Sequence, residues 1–172
     1  IGHEASHGFD DQGSQFDGKG NRSNWWTAAD KKQFEARTGK LVKQFDAYAP
    51  IKEKPDLHIN GKLTLGENIA DLGGINIAYD ALQTALKANP KESAEKIDGF
   101  TQDQRFFMNW ATVWHGASRE KTAELLLNID PHSPASVRAF AAPTNMPQFA
   151  QAFSCKAGDA MVRSGDTQVK IW

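Results

Sequence analysis

The stretch LGENIADLGGINIAYDALQTALKA, residues 65–88, decides the fold of this 172-residue chain. Its apolar residues recur at helical spacing and leave few positions for water, which predicts a long helix at the centre of the molecule. Two adjacent glycines, Gly73 and Gly74, lie inside the stretch. Each costs a helix about 1 kcal/mol relative to alanine. We therefore expect close backbone packing against a neighbour at this point, not a break in the helix.

Helical signals also cover most of the remaining chain. Thr27 and Thr101 each begin a capping-box pattern, which predicts helices that extend to about Tyr48 and through Trp114. Proline suits the first helical position, where its missing N–H has no intrahelical partner, so we expect Pro134 and Pro147 there. The expected shorter segments are a helical stub at 1–11, a loop at 12–24, and helices at 119–128, 134–141 and 147–154.

Strand signal is almost confined to residues 58–64. Asn60 and Gly61 can supply the positive φ angles of a tight turn, so this segment predicts a small β-hairpin. No repeat, low-complexity tract or linker divides the chain. The sequence therefore predicts one mainly α lobe with at most this small β-hairpin.

Composition excludes several classes of function. Hydrophobic residues make up 40% of the chain and charged residues 24%, as in globular proteins, and the net charge is −1. The basic residues form no stripe, so we expect no nucleic-acid partner. No apolar run approaches the roughly 20 residues of a membrane span, so we expect no membrane contact by this segment. Cys155 is the only cysteine, which excludes an internal disulfide.

The sequence HEASH at residues 3–7 is a candidate zinc site. Residues four apart share one face of a helix, so His3 and His7 can direct two imidazole nitrogens at one ion. Glu4 can then reach a water on that ion and accept its proton. The alternative is a surface helix with two solvated histidines.

A catalytic zinc ion needs a third protein ligand, and the predicted central helix offers two carboxylates. Glu67 and Asp71 are four residues apart and share a face. One carboxylate can bind the metal while the other accepts the free N–H of a ligand histidine. The alternative is that both are simply favourable negative charges in the first turns of the helix.

Three blocks resemble the neprilysin-type zinc endopeptidases, which include endothelin-converting enzymes and bacterial oligopeptidase O. They are HEASHGFDDQGSQFD, NGKLTLGENIADLGG and DPHSPASVRAF, in that order, and the chain ends in Trp172. The resemblance implies a thermolysin-like gluzincin fold, of which residues 1–172 are a single C-terminal, helical part of the catalytic domain. It also implies that the N-terminal part of the parent protein is missing from this chain.

The resemblance assigns roles at the matching positions. It implies one zinc ion with His3, His7 and Glu67 as ligands. Glu4 is implied as the general base, and Asp71 as the carboxylate that holds a ligand histidine.

Three further residues match the family outside the ligand set. The resemblance implies that His132 stabilises the oxyanion of the tetrahedral intermediate and that Arg138 grips a substrate backbone carbonyl. A donor aimed at developing negative charge can be worth about 3–4 kcal/mol, which fits the role of His132. Asp10 matches a family carboxylate, and we expect it to orient a catalytic histidine.

The expected function is therefore that of a zinc metalloendopeptidase that cleaves oligopeptides on the amino side of hydrophobic residues. Its expected partners are the peptide substrate and the missing N-terminal part. One alternative is a fragment that acts only as a metal-binding or structural module. Another is a helical protein with a structural zinc ion, for which His132 is the only obvious extra ligand. The compartment stays open, with periplasmic or secreted slightly favoured over cytoplasmic.

Aromatic residues are numerous beside these motifs. We expect them in the core more than in a substrate pocket, although some can line the hydrophobic pocket typical of the family. They are Phe9, Phe16, Trp25, Trp26, Phe106, Phe107, Trp110 and Trp114.

Overall fold

The computed structural model describes all 172 residues, and its regular structure is almost entirely helical. Short 3₁₀ turns follow the first helix and precede the chain end, and the only β pairing consists of two isolated bridges. The mainly α prediction is confirmed. The helices are α1 (Gly2–Ser6), α2 (Ala28–Asp46), α3 (Leu65–Ala88), α4 (Pro90–Ala94), α5 (Gln102–Val113), α6 (Glu120–Ile129), α7 (Ala135–Thr144) and α8 (Pro147–Ala152).

Helix α3 lies at the centre of the molecule, as its apolar pattern predicts. It packs against α1, α2, α4 and α7. Ile69 and Ile75 are completely buried in the main hydrophobic cluster, and Tyr79 stacks on Phe107 of α5. Ile77 is the exception, because about half of its side chain is exposed. Burial of the remaining apolar face fixes the position of α3 and of the polar residues in its first two turns.

The two glycines of α3 allow α1 to lie directly on its backbone. A Cβ atom at Gly74 would lie 2.6 Å from the backbone nitrogen of His3, and one at Gly73 would lie 2.5 Å from Ser6 Oγ. Gly2 of α1 lies on the other side of this contact, and a Cβ atom there would lie 3.1 Å from the Cα of Gly74. The predicted close backbone packing is present, and it places His3 beside the first two turns of α3.

The hairpin predicted at residues 58–64 is wrong, because residues 58–60 are irregular and residues 61–64 form a turn that leads into α3. The side-chain oxygen of Asn60 accepts hydrogen bonds from the backbone N–H groups of Lys62 and Leu63. This local bonding offers the backbone an alternative to strand pairing. Gly61 does not have a positive φ angle. The position requires glycine because a Cβ atom there would collide with the carbonyl of Val42 on α2.

Helix starts agree with the capping signals with small differences. Thr27 accepts a hydrogen bond from the N–H of Asp30, and Thr101 forms a complete capping box with Gln104. Pro147 occupies the first turn of α8, whereas Pro134 caps α7 from just outside the helix. Helix α4 follows Asn89 directly and was not predicted. No helix has both the length and the apolar character needed to cross a membrane.

Candidate metal centre and active site

The two histidines of HEASH face each other across one side of the short first helix. His3 lies in α1 and His7 begins the 3₁₀ turn that continues it. Their Nε2 atoms are 3.2 Å apart, and the two rings meet edge to face. The four-residue spacing thus brings the two nitrogens together as predicted from the sequence.

Glu67 completes a cluster of three potential metal ligands. Its carboxylate oxygens lie 3.2 Å from His3 Nε2 and 3.4 Å from His7 Nε2. One ligand atom from each residue fits within 4.8 Å of the others. Glu67 Oε2 is buried and accepts no hydrogen bond within the protein. The guanidinium Nη2 of Arg138 lies 3.5 Å away without forming a hydrogen bond. A buried carboxylate oxygen without a donor is costly, and a metal ion could satisfy this atom directly.

In both imidazoles a carboxylate lies beside Nδ1, the nitrogen that faces away from the cluster. His3 Nδ1 lies 2.9 Å from Asp71 Oδ1, and His7 Nδ1 lies 2.8 Å from Asp10 Oδ2. A carboxylate accepts the Nδ1 proton, which leaves a lone pair on each Nε2. Two lone pairs and a carboxylate then converge on one point, where a positive ion would be stabilised.

The spacing of these three donors fits zinc. Zinc binds histidine nitrogen and carboxylate oxygen at about 2.0–2.1 Å in a tetrahedron, whose ligand atoms are then about 3.3 Å apart. The 3.2 Å between the two Nε2 atoms agrees with that edge length. Glu67 approaches His3 through Oε2 at 3.2 Å and His7 through Oε1 at 3.4 Å, so its carboxylate faces both nitrogens. His3, His7 and Glu67 could therefore hold one zinc ion and leave a fourth position open.

Asp10 holds both a histidine and the backbone that follows it. Its Oδ1 accepts hydrogen bonds from the N–H groups of Gln12 and Gly13 at 2.8 and 2.7 Å, while Oδ2 faces His7. Burial lowers the pKa of His7, but the hydrogen bond to Asp10 and the charge of Glu67 outweigh it and raise the pKa overall. The structure places Asp10 where it can orient a ligand histidine.

Asp71 links His3 to Arg138 on α7. Arg138 Nε and Nη2 each donate to a different oxygen of Asp71 at 2.7 Å, which is a bidentate pair with both residues buried. The guanidinium also lies 4.0 Å from the ring centre of Trp114, and its backbone carbonyl accepts from Trp110. Three residues, Asp71, Trp110 and Trp114, therefore hold Arg138, whereas its Nη1 makes no hydrogen bond within the protein.

His132 reaches the same cluster from the loop between α6 and α7. Its Nε2 lies 3.3 Å from Glu67 Oε1, and its Nδ1 lies 2.7 Å from Asp130 Oδ1. The backbone N–H of His132 also donates to Asp130, and this bond together with the imidazole lowers the pKa of the Asp130 carboxyl. Sequence reasoning missed Asp130, although an aspartate two residues before a histidine is a recognisable turn signal.

Glu4 lies on α1 between the two histidines and is exposed to solvent. It makes no hydrogen bond or ion pair within the protein, so its carboxylate is free to accept a proton from a bound molecule. Its negative charge is one of the influences that raise the pKa of His7.

A cavity of about 670 Å³ opens beside His132 and Arg138. Its apolar wall includes Trp114, Leu126 and Leu127. The expectation that the aromatic residues lie in the core is wrong for several of them. Trp114 lines this cavity, and Phe9, Phe16 and Trp25 are about half exposed, whereas Phe107 is buried in the core. Nothing in the local sequence of Trp114 distinguishes it from the buried aromatics.

Comparison with known proteins agrees with this geometry. The chain is 46% identical to neprilysin-1 of Caenorhabditis elegans over 164 residues, which are 94% of the chain and 21% of that protein. It is 37% identical to endothelin-converting enzyme 1 of Bos taurus over 161 residues, 94% of the chain and 21% of that protein. The chain thus spans about a fifth of the length of these relatives.

Solved structures give the same result. The crystal structure of the Mycobacterium tuberculosis zinc metalloprotease Zmp1 in complex with an inhibitor matches with a TM-score of 0.93 and 43% identity. That match covers 99% of this chain and 26% of the other. PepO from Lactobacillus rhamnosis matches with a TM-score of 0.82 and 33% identity over 99% of this chain and 25% of that one. The family model of peptidase family M13 matches residues 1–169, and the chain therefore belongs to that family.

Proposed function

We propose that this chain provides the catalytic site of a zinc metalloendopeptidase that hydrolyses oligopeptides. The observation that supports it most is that Nε2 of His3, Nε2 of His7 and the Glu67 carboxylate lie together, with separations of 3.2–3.4 Å. Asp71 and Asp10 hold the opposite nitrogens of the two histidines, so both lone pairs are directed at the same point. A zinc ion bound there would act as a Lewis acid and make a water nucleophilic near neutral pH.

Glu4 is the proposed general base. It is exposed and unpaired one residue after His3, so its carboxylate can accept a proton from the attacking water and pass it to the leaving amine. Substitution of Glu4 by glutamine keeps the shape of the side chain and removes its basicity. Glu4 makes no hydrogen bond or ion pair within the protein, so the substitution breaks no contact that holds the fold.

His132 is the proposed donor to the oxyanion. Asp130 lies 2.7 Å from its Nδ1 and orients the ring, and an imidazole with a proton on each nitrogen can donate from Nε2. That Nε2 lies next to Glu67, at the edge of the ligand cluster. A fixed donor at the position where negative charge develops lowers the barrier by stabilising the transition state.

Arg138 is the proposed contact for a backbone carbonyl of the substrate. Two of its nitrogens are fixed by Asp71, and its Nη1 is left to donate. The neighbouring cavity has an apolar wall that includes Trp114, Leu126 and Leu127, which suits a hydrophobic side chain. This wall supports cleavage on the amino side of hydrophobic residues.

Peptide cleavage and zinc content of three proteins test the proposal. In the full-length protein we expect Glu4→Gln to retain one zinc ion and lose cleavage, and Glu67→Ala to lose the zinc itself. Wild-type protein that binds zinc but cleaves no peptide would favour a non-catalytic metal-binding module. Retention of stoichiometric zinc by Glu67→Ala would refute the ligand assignment.

A further inference from the structure

A buried hydrogen bond joins the loop that contains His132 to the helix that contains Glu67. Ser133 Oγ donates to Asn68 Oδ1 at 2.8 Å. Ser133 is 3% exposed and Asn68 is 2% exposed, so water does not compete for this bond. Each of the two residues directly follows a residue of the proposed active site, His132 in one case and Glu67 in the other.

The bond is the end of a chain of hydrogen bonds with one consistent direction. Asn68 Nδ2 donates to Thr64 Oγ1 at 2.9 Å, and Thr64 Oγ1 donates to the carbonyl of Asn60 at 3.2 Å. Thr64 is also buried. Because Thr64 accepts the hydrogen bond of the Asn68 side-chain NH₂ group, the amide oxygen must point towards Ser133.

The other hydrogen bonds of the loop do not reach α3. Asp130 bonds both the ring and the backbone of His132, but it belongs to the same loop. Apart from the ring of His132 itself, Ser133 makes the only hydrogen bond between residues 130–134 and α3. The next link to α3 is the pair of Arg138 with Asp71, six residues beyond His132. Without the bond of Ser133, Asp130 and His132 would be held to α3 only through that pair and could shift relative to Glu67.

We infer that Asn68 and Ser133 are positioning residues that hold the His132 imidazole at the metal cluster. The inference rests on the proposed role of His132 and adds two residues that touch neither substrate nor metal. A displacement of about 1 Å can cost a hundredfold in rate, so a bond that sets this distance affects catalysis. The expected signature is a lower kcat with little change in KM and in zinc content.

A double-mutant cycle in the full-length protein separates positioning from general stability. We expect His132→Ala to lower kcat about 10²–10³-fold, as loss of an oxyanion donor does, and Ser133→Ala to lower it about tenfold or more. In the His132→Ala background, Ser133→Ala should have no further effect on kcat, because no imidazole remains to be positioned. Independent, multiplicative effects of the two substitutions would overturn the inference.

Two further variants serve as controls for folding. Thr64→Val breaks the far end of the chain of hydrogen bonds with little change in shape, and we expect a smaller loss of kcat. Thr144→Val removes a buried hydroxyl that bonds only within α7, to the carbonyl of Ala141, and should lower the melting temperature without a change in kcat. An equal loss of kcat in Thr144→Val would mean that any buried hydroxyl has this effect and would refute the inference.

NMR of histidine-labelled protein tests the inference without reference to activity. The ring signals of His132 should shift or broaden in Ser133→Ala, while those of His58 and His115 stay in place. Unchanged His132 signals would overturn the positioning role. Absence of peptide cleavage by the wild type would instead refute the proposed function, and the NMR result would still decide whether Ser133 holds His132.

Discussion

Gly74 and His3 are in backbone contact, because a Cβ atom at position 74 would lie 2.6 Å from the nitrogen and 2.9 Å from the Cα of His3. The approach of α1 to α3 therefore depends on the absence of a side chain at this position. His3 and Glu67 can meet only when α1 is seated this closely. The spacing of the metal cluster is thus set partly by a residue that offers no ligand.

Gly74→Ala should weaken zinc binding because the added methyl group pushes α1 away from α3. Overpacking of this kind costs about 1–3 kcal/mol, which corresponds to about a tenfold to hundredfold weaker affinity. Competition with a chromophoric chelator measures the change. Gly39→Ala is the matched control, since a Cβ atom there meets nothing within 4 Å. That variant should be slightly more stable with unchanged zinc affinity, and a Gly74→Ala protein with wild-type affinity would contradict the explanation.

Arg138→Met should destabilise the fold strongly because it leaves the Asp71 carboxylate buried without its bidentate partner. Loss of one member of a buried ion pair costs about 3–5 kcal/mol, to be measured by urea unfolding. Lys54→Met provides the comparison. The pair of Lys54 with Glu124 is exposed to solvent, so its loss should have little effect on stability. If both substitutions had the same small effect, the pair of Arg138 and Asp71 would not be structurally important.

Asp10→Asn should weaken zinc binding more than it weakens the fold. The side-chain oxygen can still accept from the N–H groups of Gln12 and Gly13, so the turn is retained. The new NH₂ group would face His7 Nδ1 and favour the tautomer with its proton on Nε2, where the metal needs a lone pair. We expect about a 10–100-fold loss of affinity by calorimetry with little change in melting temperature. Unchanged affinity would show that Asp10 does not set the His7 tautomer.

Tyr79 should make the protein sensitive to alkaline pH. Burial, with the neighbouring charge of Asp103, raises the pKa of its phenol from 10.0 to about 12. The folded state therefore holds this proton where the unfolded state has lost it, so its stabilising effect is complete below pH 10 and is lost as pH rises towards 12. Urea unfolding of wild type and Tyr79→Phe at pH 9 and pH 11 measures the effect. The variant should lose less stability between these pH values, and parallel losses in both proteins would exclude Tyr79 as the cause.

The helices could be predicted because their signals are local. Capping threonines and the apolar pattern of residues 65–88 depend on neighbours a few positions away, and α3 has the predicted bounds. The turn at Asn60 was misjudged because the same dipeptide can form a hairpin turn or bond its own backbone. Only the packing of Gly61 against α2 decides between them.

In the candidate site, too, local relationships could be predicted from the sequence and long-range contacts could not. His3 and His7 are related by helical spacing alone, and so are Glu67 and Asp71. The bond between Asn68 and Ser133 joins positions 65 apart, and the sequence contains no signal for it. The place of Trp114 beside Arg138 likewise depends on how α5 and α7 cross, which a single sequence does not specify.

The close packing of α1 on α3 also brings two distant parts of the chain together. His3 and Glu67 are 64 positions apart, so an ion shared by α1 and α3 would close a long loop in the way that a disulfide does. The single cysteine of the chain cannot form an internal cross-link of this kind. Zinc would thus cross-link α1 to α3. Removal of the metal with a chelator would free α1 before the helices that pack around α3 unfold.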